Sequence, residues 1–519
     1  MGSLDFGSEL TDARPMKRLA VGFVLAMMGC NQATPKPDVA PTTTPVDRKA
    51  RDDGGVDLEI AFHPGFTGDI GWSKLPERTP LHMVGTPGAK VIDGTGLNGK
   101  EPEGYELERF ARELKTADLA NASLVVQRST LCSDALREAV NAAKPERLLM
   151  KVKWGLTAEG VACLGRLEAP RIYLAGCLYR EHRPEEGCDG DAELAAVLAE
   201  PELRERVFGF ALSLGKPESV LALAELPNLE YLALVPSSDD VSYAPLPWHG
   251  LGKLQYLDAS HWGEMQLGGE AGRLHTIRWN GRLRAPLEDC KLRRFTKGRI
   301  RGEEVATLAG CSQLEDLSID SAKLDSVEGL AGLDSLESLY LRHLDTEDLS
   351  PLAGLKNLRV LGLGSADATD FSFVAELDEL EQLDLSQTSL ASLEVARALD
   401  ELTHVDIGFT AVNDLTPLAG KKNLKVLDAG KSKVVDLAPI ATMPALEELK
   451  VGGTGVRDLS PLADHPSLRW VIIHRTAVTD ISVLSGLPAL ERANIRGLAL
   501  PPAQVEALKS KLGRSNVDD

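Results

Sequence analysis

From Leu314 onward the sequence repeats itself every 22 residues. The unit is Leu-x-x-Leu-x-Leu, with apolar variants at its second and third places. It begins at Leu314, Leu336, Leu358, Leu380, Leu402, Leu424, Leu446, Leu468 and Leu490. A second landmark keeps the same step: Asp348-Leu349-Ser350-Pro351-Leu352 returns at 414–418, 436–440 and 458–462, with looser copies at 370–374 and 480–484. Ser or Thr followed by Pro suits an N-cap and first helical residue. Each unit therefore predicts a short strand, a turn, and one or two turns of α- or 3-10 helix. A unit this small cannot bury its own leucines; stacked units share one continuous core. The expected class is an α/β solenoid with a parallel sheet on its concave side and short helical segments on its convex side.

This pattern resembles the 22-residue leucine-rich repeats of the internalin type, over residues 305–500. The resemblance implies a leucine-rich-repeat horseshoe that binds a macromolecule. At the ninth repeat position, where such repeats usually carry Asn, this chain has Thr388, Thr410, Ser432, Thr454 and Thr476, after Ala322, Leu344 and Ala366. A hydroxyl there is expected to hydrogen-bond the neighbouring coil's backbone. No LPxTG-like sorting motif is present, so wall attachment is not implied.

Upstream the pattern loosens. Met150-Val152 and Ile172-Leu174 stand 22 apart, as do Val207-Phe210-Leu212 and Leu229-Leu232-Leu234. Leu254-Leu257-Ala259, Leu274-Ile277-Trp279 and Leu292-Phe295 follow at steps of 25, 20 and 18. Residues 120–300 read as irregular repeats and 301–500 as the regular array. Residues 56–119 lack the pattern and read as an N-terminal cap, with a helix over 106–115 that lines up Leu107, Phe110, Ala111 and Leu114. At the other end, 501–519 reads as a capping helix and tail, with Val505, Leu508 and Leu512 on one side.

The first 30 residues carry an address. Lys17 and Arg18 precede an apolar run over 19–28, too short to span a bilayer. Met27-Met28-Gly29-Cys30 resembles a bacterial lipobox, with Met27 where Leu is usual. The resemblance implies lipidation of Cys30, a membrane anchor and residence in the bacterial cell envelope. Asp5, Glu9 and Asp12 do not suit a signal, which places the start at Met16. Residues 31–55, rich in Pro and Thr, read as an extended, disordered tether.

The net charge of −20 disfavours nucleic acid and is compatible with a basic protein or a divalent cation. Catalytic signatures are decoys. Ala429-Gly430-Lys431-Ser432 has Lys425 where a phosphate-binding loop needs its first Gly, and Gly362-Leu363-Gly364 lacks the third Gly of a dinucleotide fingerprint. No cofactor and no metal site are expected, since no Cys-x-x-Cys pair exists. Besides Cys30 there are six cysteines, an even number in an exported chain. Cys177 and Cys188 can close a loop; Cys290 and Cys311 can join neighbouring coils, although Cys311 also fits the apolar site held by Leu333 and Leu355.

Strand alternation places repeat positions 3, 5 and 7 on the solvent side of the sheet. Three stations result. Asp384, Asp406 and Asp428 stack on adjacent strands, each pair repelling by about 0.9 kcal/mol in water. A cationic partner would relieve this, and Lys450 follows next in line. Trp470, Ile472 and His474 share one strand and suit an anchor or a contact with the C-terminal cap. Tyr340 and Arg342 are residue types favoured in binding hot spots. Glycines at position 7 offer a floor for a partner backbone. The leading expectation is an exported, lipid-anchored, non-enzymatic protein that binds a protein, basic in character, through its concave face. Alternatives are an envelope protein binding glycan or its own copies, and an enzyme in the irregular half.

Overall fold

The first regular coil yields an eight-residue strand, Asp316–Lys323, and each later one a strand of three or four residues at the positions where the leucine spacing demands it. Gln382–Asp384, His404–Asp406, Val426–Asp428, Glu448–Lys450, Trp470–Ile472 and Arg492–Asn494 are six in succession. Neighbours pair in parallel with residue i opposite residue i + 22, so Leu383, Val405, Leu427, Leu449 and Val471 align. Like positions therefore stack on like, and positions 1, 4 and 6 form three apolar ladders through the interior. Leu380, Leu402, Leu424 and Leu446 are fully buried. Each such side chain contributes about 1.5–3 kcal/mol relative to exposure.

The computed structural model describes residues 90–94, 105–119, 122–152, 155–176, 189–237, 246–259, 266–267, 271, 273–283, 286–287 and 289–519. Met16, Cys30, the 31–55 tether, much of the 56–119 region, and both Cys177 and Cys188 lie outside these residues.

Position 8 turns each coil away from the sheet. His343, Ser365, Gln387, Phe409, Lys431 and Arg475 all hold φ between 49° and 61°, and Gly453 and Gly497 take the same place at 72° and 75°. A non-glycine residue pays roughly 1 kcal/mol in this left-handed region. The inter-coil bonds it gains, such as Lys431 N–H to the Gly452 carbonyl at 2.8 Å, offset that strain.

Two local expectations are corrected. The Ser or Thr before Pro is not the cap. Two residues earlier, Asp348, Asp370, Asp414, Asp436, Asp458 and Asp480 each accept a backbone N–H at 2.8–2.9 Å, and the Ser or Thr opens the convex segment. Those segments are 3-10 turns such as Thr416–Leu418 and Ser460–Leu462, except the α-helical turn Ser482–Gly486 after Asp480. The ninth-position hydroxyls do not reach the neighbouring coil. Thr388, Thr410, Ser432, Thr454 and Thr476 donate to the carbonyl three residues back in their own coil at 2.6–2.8 Å. A hydroxyl is shorter than an amide and satisfies the nearest acceptor.

The irregular half belongs to the same sheet. Leu148–Val152, Ile172–Ala175, Val207–Leu214, Tyr231–Pro236, Tyr256–Ala259, Thr276–Trp279 and Arg294–Arg301 pair in chain order into one open parallel sheet, of 19 strands among the described residues. The sheet begins before residue 120, since Lys90–Gly94 pairs with Ala122–Val126. Between them runs the helix Tyr105–Thr116, which buries Phe110 and Leu114. At the far end the helix Pro502–Leu512 buries Leu508 against the last coil. The tail then adds a strand, Val517–Asp518, beside Ala493 and Asn494. This shields the backbone of the terminal strand, which would otherwise template edge pairing. No helix among the described residues is long and apolar enough to cross a membrane.

Among the described residues two disulfides form: Cys132–Cys163 within the irregular repeats and Cys290–Cys311, which ties them to the first regular coil. Cys311 is both fully buried and bonded, so its apolar site and its covalent role coincide. Cys290→Ser with Cys311→Ser is expected to cost about 3 kcal/mol through restored freedom of the unfolded chain. Urea titration of that variant against the native protein, without reductant, measures it; unchanged midpoints would refute the estimate.

Candidate functional site on the sheet face

The position-5 aspartates do not stand free in solvent. Asp384, Asp406 and Asp428 stack in register, and each turns Oδ1 back onto the backbone N–H two residues on, at Ser386, Gly408 and Gly430, all at 2.9 Å. Asn494 does the same to the Arg496 N–H at 3.2 Å. An Asx side chain at this place closes the strand end. Asp428 is only 3% exposed and Lys450 6%. At the ~4.8 Å strand spacing, side chains of adjacent coils cover one another.

Lys450 Nζ lies 2.8 Å from Glu448 Oε1 and 3.7 Å from Asp428 Oδ2. Burial, then Asp428 and Asp384, raise the Asp406 carboxyl to about 8. Burial raises Asp428 to about 6, opposed by the Gly430 amide and Lys450. Asp384 also moves upward through burial. Asp406 thus holds a proton near neutral pH, and the three carboxyls titrate as a group.

Trp470 is half-buried and flanked by cations. Lys450 Nζ lies 5.5 Å from its ring centroid and the Arg492 guanidinium 4.6 Å. Ile472 sits beside Lys450 on the adjacent strand. The glycine floor is partly occupied. A Cβ on Gly452 would come within 2.0 Å of His474 Nδ1, and one on Gly362 within 2.2 Å of Tyr340 Cδ1, so each ring lies across a glycine of the adjacent coil. Burial, then Asp384 and Asp316, push the Tyr340 hydroxyl upward, while Arg342 opposes part of the burial-driven rise of Asp384. The three stations are therefore one strip: Tyr340 and Arg342 adjoin Asp384, and Lys450 links Asp428 to Trp470.

A second set escaped the sequence reading. On the same sheet face, Tyr173, Phe208, Tyr231 and Tyr256 form an aromatic ladder with successive centroids 6.3, 5.9 and 6.0 Å apart. Arg171 lies 4.4 Å over Phe208 and pairs with Glu230 at 2.6 Å; Arg278 pairs with Asp258 at 3.2 Å. With Leu149, Ala175, Ala211 and Ala233, the rings of Tyr173, Phe208 and Tyr231 make a hydrophobic cluster separate from the main core. The signal was available. Each ring directly neighbours an inward residue, as in Ile172-Tyr173-Leu174 and Tyr256-Leu257, so alternation sends it outward. Lys297 was also passed over, because it occupies the inward sixth position where neighbouring coils have Trp279 and Ile319.

Among the described residues, no group of three or more His, Cys, Asp or Glu is arranged to hold a metal ion. No protein-family profile and no curated protein matches the sequence. Solved structures do resemble the fold. A leucine-rich-repeat protein of Leptospira interrogans superposes with a TM-score of 0.52 at 17% identity, over 79% of this chain and 98% of that one. The fold is a leucine-rich-repeat solenoid. An internalin of Listeria monocytogenes also resembles it, at a TM-score of 0.39 and 17% identity, over 70% of this chain and 89% of that one. In this leucine-rich-repeat frame the strip from Tyr340 to Trp470 runs across consecutive coils of the sheet.

Proposed function

We propose that this leucine-rich-repeat protein is an exported, Cys30-anchored scaffold that binds a protein partner across its concave sheet face. The observation that supports this reading best is Trp470, a partly exposed indole held between Lys450 and Arg492 beside Ile472. A ring fixed in place by its neighbours loses little entropy on binding, and aromatic and Arg side chains dominate hot spots. Export is supported by the two disulfides, which persist in oxidising compartments.

Trp470→Ala is expected to weaken capture of the partner from envelope extracts by about 2 kcal/mol, roughly thirtyfold. Crosslinking followed by quantitative capture on the native and variant proteins measures it, with equal melting curves as the folding control. Equal capture by both proteins would exclude the Trp470 station. Cys30→Ser should move the protein from the membrane to the soluble fraction; retention in the membrane would exclude the anchor.

A further inference from the structure

Beyond the strand, each coil exposes a second surface. After position 8 the chain alternates exposed, buried, exposed, buried, exposed over positions 8–12, as in 431–435 and 453–457. Backbone bonds keep these segments in register from coil to coil: Phe409 N–H to the Gly430 carbonyl, Lys431 to Gly452, Lys433 to Val412 and Gly455 to Val434, at 2.8–3.1 Å. Positions 8, 10 and 12 of consecutive coils thus form a plate along the rim of the sheet.

The plate changes sign along the solenoid. In the coils spanning 343–347 and 365–369 its charged residues are Asp345, Glu347 and Asp367. In the four coils from 409 to 479 the charged residues at positions 8, 10 and 12 are Lys431, Lys433, Arg457 and Arg475, with no carboxylate among them. All four are exposed, and none forms an ion pair with a carboxylate among the described residues. In a chain of net charge −20, four adjacent unpaired cations are a departure from the background. Two apolar groups accompany them. Phe409 is 45% exposed with Lys431 Nζ 4.1 Å from its ring centroid, and Val435 is 59% exposed. Between the cations lie Ala411, Gly453, Gly455 and Ala477, which keep the surface low enough for a backbone to approach. A row of exposed acids, Asp414, Asp436, Asp458 and Asp480, borders the plate at position 13, each accepting a backbone N–H two residues on. The local field is felt next door: besides burial, Arg475, Arg496 and Lys431 push the His474 imidazole downward.

We infer that this rim plate is a docking surface for an acidic, extended segment of a protein partner, anchored by an apolar side chain against Phe409 and Val435. Charge complementarity selects the occupant. The sheet-face aspartates are turned onto their own backbone amides and Asp428 also faces Lys450, so at positions 8, 10 and 12 of these coils the charge offered to a partner is positive. This surface is separate from the sheet-face site.

The test uses the full chain and a labelled poly-glutamate peptide, read by fluorescence anisotropy at low and physiological salt. The variant is Lys431→Gln, Lys433→Gln, Arg457→Gln and Arg475→Gln together, with circular dichroism melting as the control for folding. Loss of four exposed charge contacts is expected to weaken peptide binding roughly tenfold or more. The salt dependence should flatten in the variant. Trp470→Ala should leave this binding unchanged, which separates the plate from the sheet-face reading. Equal affinity of the native protein and the quadruple variant would overturn the proposal. So would tighter binding of phosphatidylglycerol-rich vesicles than of the peptide through the same four cations, which would make the plate a membrane contact. If the quadruple variant melts early, Lys431→Gln with Arg475→Gln serves in its place, with a smaller loss in the same direction.

Discussion

Lys297→Ala is expected to destabilise the coils around residues 276–319 by about 3–5 kcal/mol, among the largest effects of any single change in this chain. Lys297 is 1% exposed and fills an inward position that neighbouring coils give to Trp279 and Ile319. Its ammonium lies 3.3 Å from Glu304 Oε1, bonds the Gly281 carbonyl, and sits 5.1 Å from the Trp279 ring centroid. Glu304 in turn accepts the Leu283 N–H at 2.8 Å and the Arg301 N–H at 3.0 Å. Removing the lysine strands a buried carboxylate and leaves a cavity under Trp279. Lys297→Met with Glu304→Gln, which keeps volume and an acceptor while removing both charges, should recover most of the loss. Hydrogen exchange of the Arg294–Arg301 strand is the direct readout, because a solenoid opens locally. Equal protection in Lys297→Ala and native protein would show that the pair contributes nothing.

Asp406→Asn is expected to stabilise the regular array at pH 8–9 by on the order of 2 kcal/mol and to have little effect near pH 4. The sign follows from the direction of the shift. The folded carboxyl is raised to about 8, above the ~3.9 of an unfolded Asp, so the fold favours its neutral form. Its contribution to stability is fully present below the unfolded value and is lost as pH rises from about 4 through 8. Asparagine removes the charge yet keeps the acceptor for the Gly408 N–H, as Asn494 shows at the same position of the last coil. The gain is smaller than the full shift corresponds to, because Asp384 and Asp428 share the titration. Urea midpoints of both proteins between pH 4 and 9 test it. Parallel curves across that range would refute the linkage.

The legibility of this protein divides along its chain. Where the unit recurs every 22 residues, the strand positions, the buried ladders and the final helix can be read directly, because stacking forces like onto like. Over 56–119 the period disappears, and the Lys90–Gly94 strand shows itself only by pairing with Ala122–Val126. The candidate site was half legible. Residue types and faces follow from alternation, whereas mutual coverage does not. Whether Tyr340 leans over Gly362, or His474 over Gly452, depends on rotamers chosen between coils.

What the sequence by itself determined is the architecture, since a 22-residue leucine period has one economical way to bury its apolar side chains. Which charges remain available was decided only by the tertiary structure. Sequence places Asp384, Asp406 and Asp428 on the sheet face. Packing closes them with amides at 2.9 Å, sets Lys450 against Asp428, and leaves Lys431, Lys433, Arg457 and Arg475 without carboxylate partners on the rim. The physical reason is spacing. Coils ~4.8 Å apart let one side chain desolvate the next, so charge at a repeat position becomes a property of the stack.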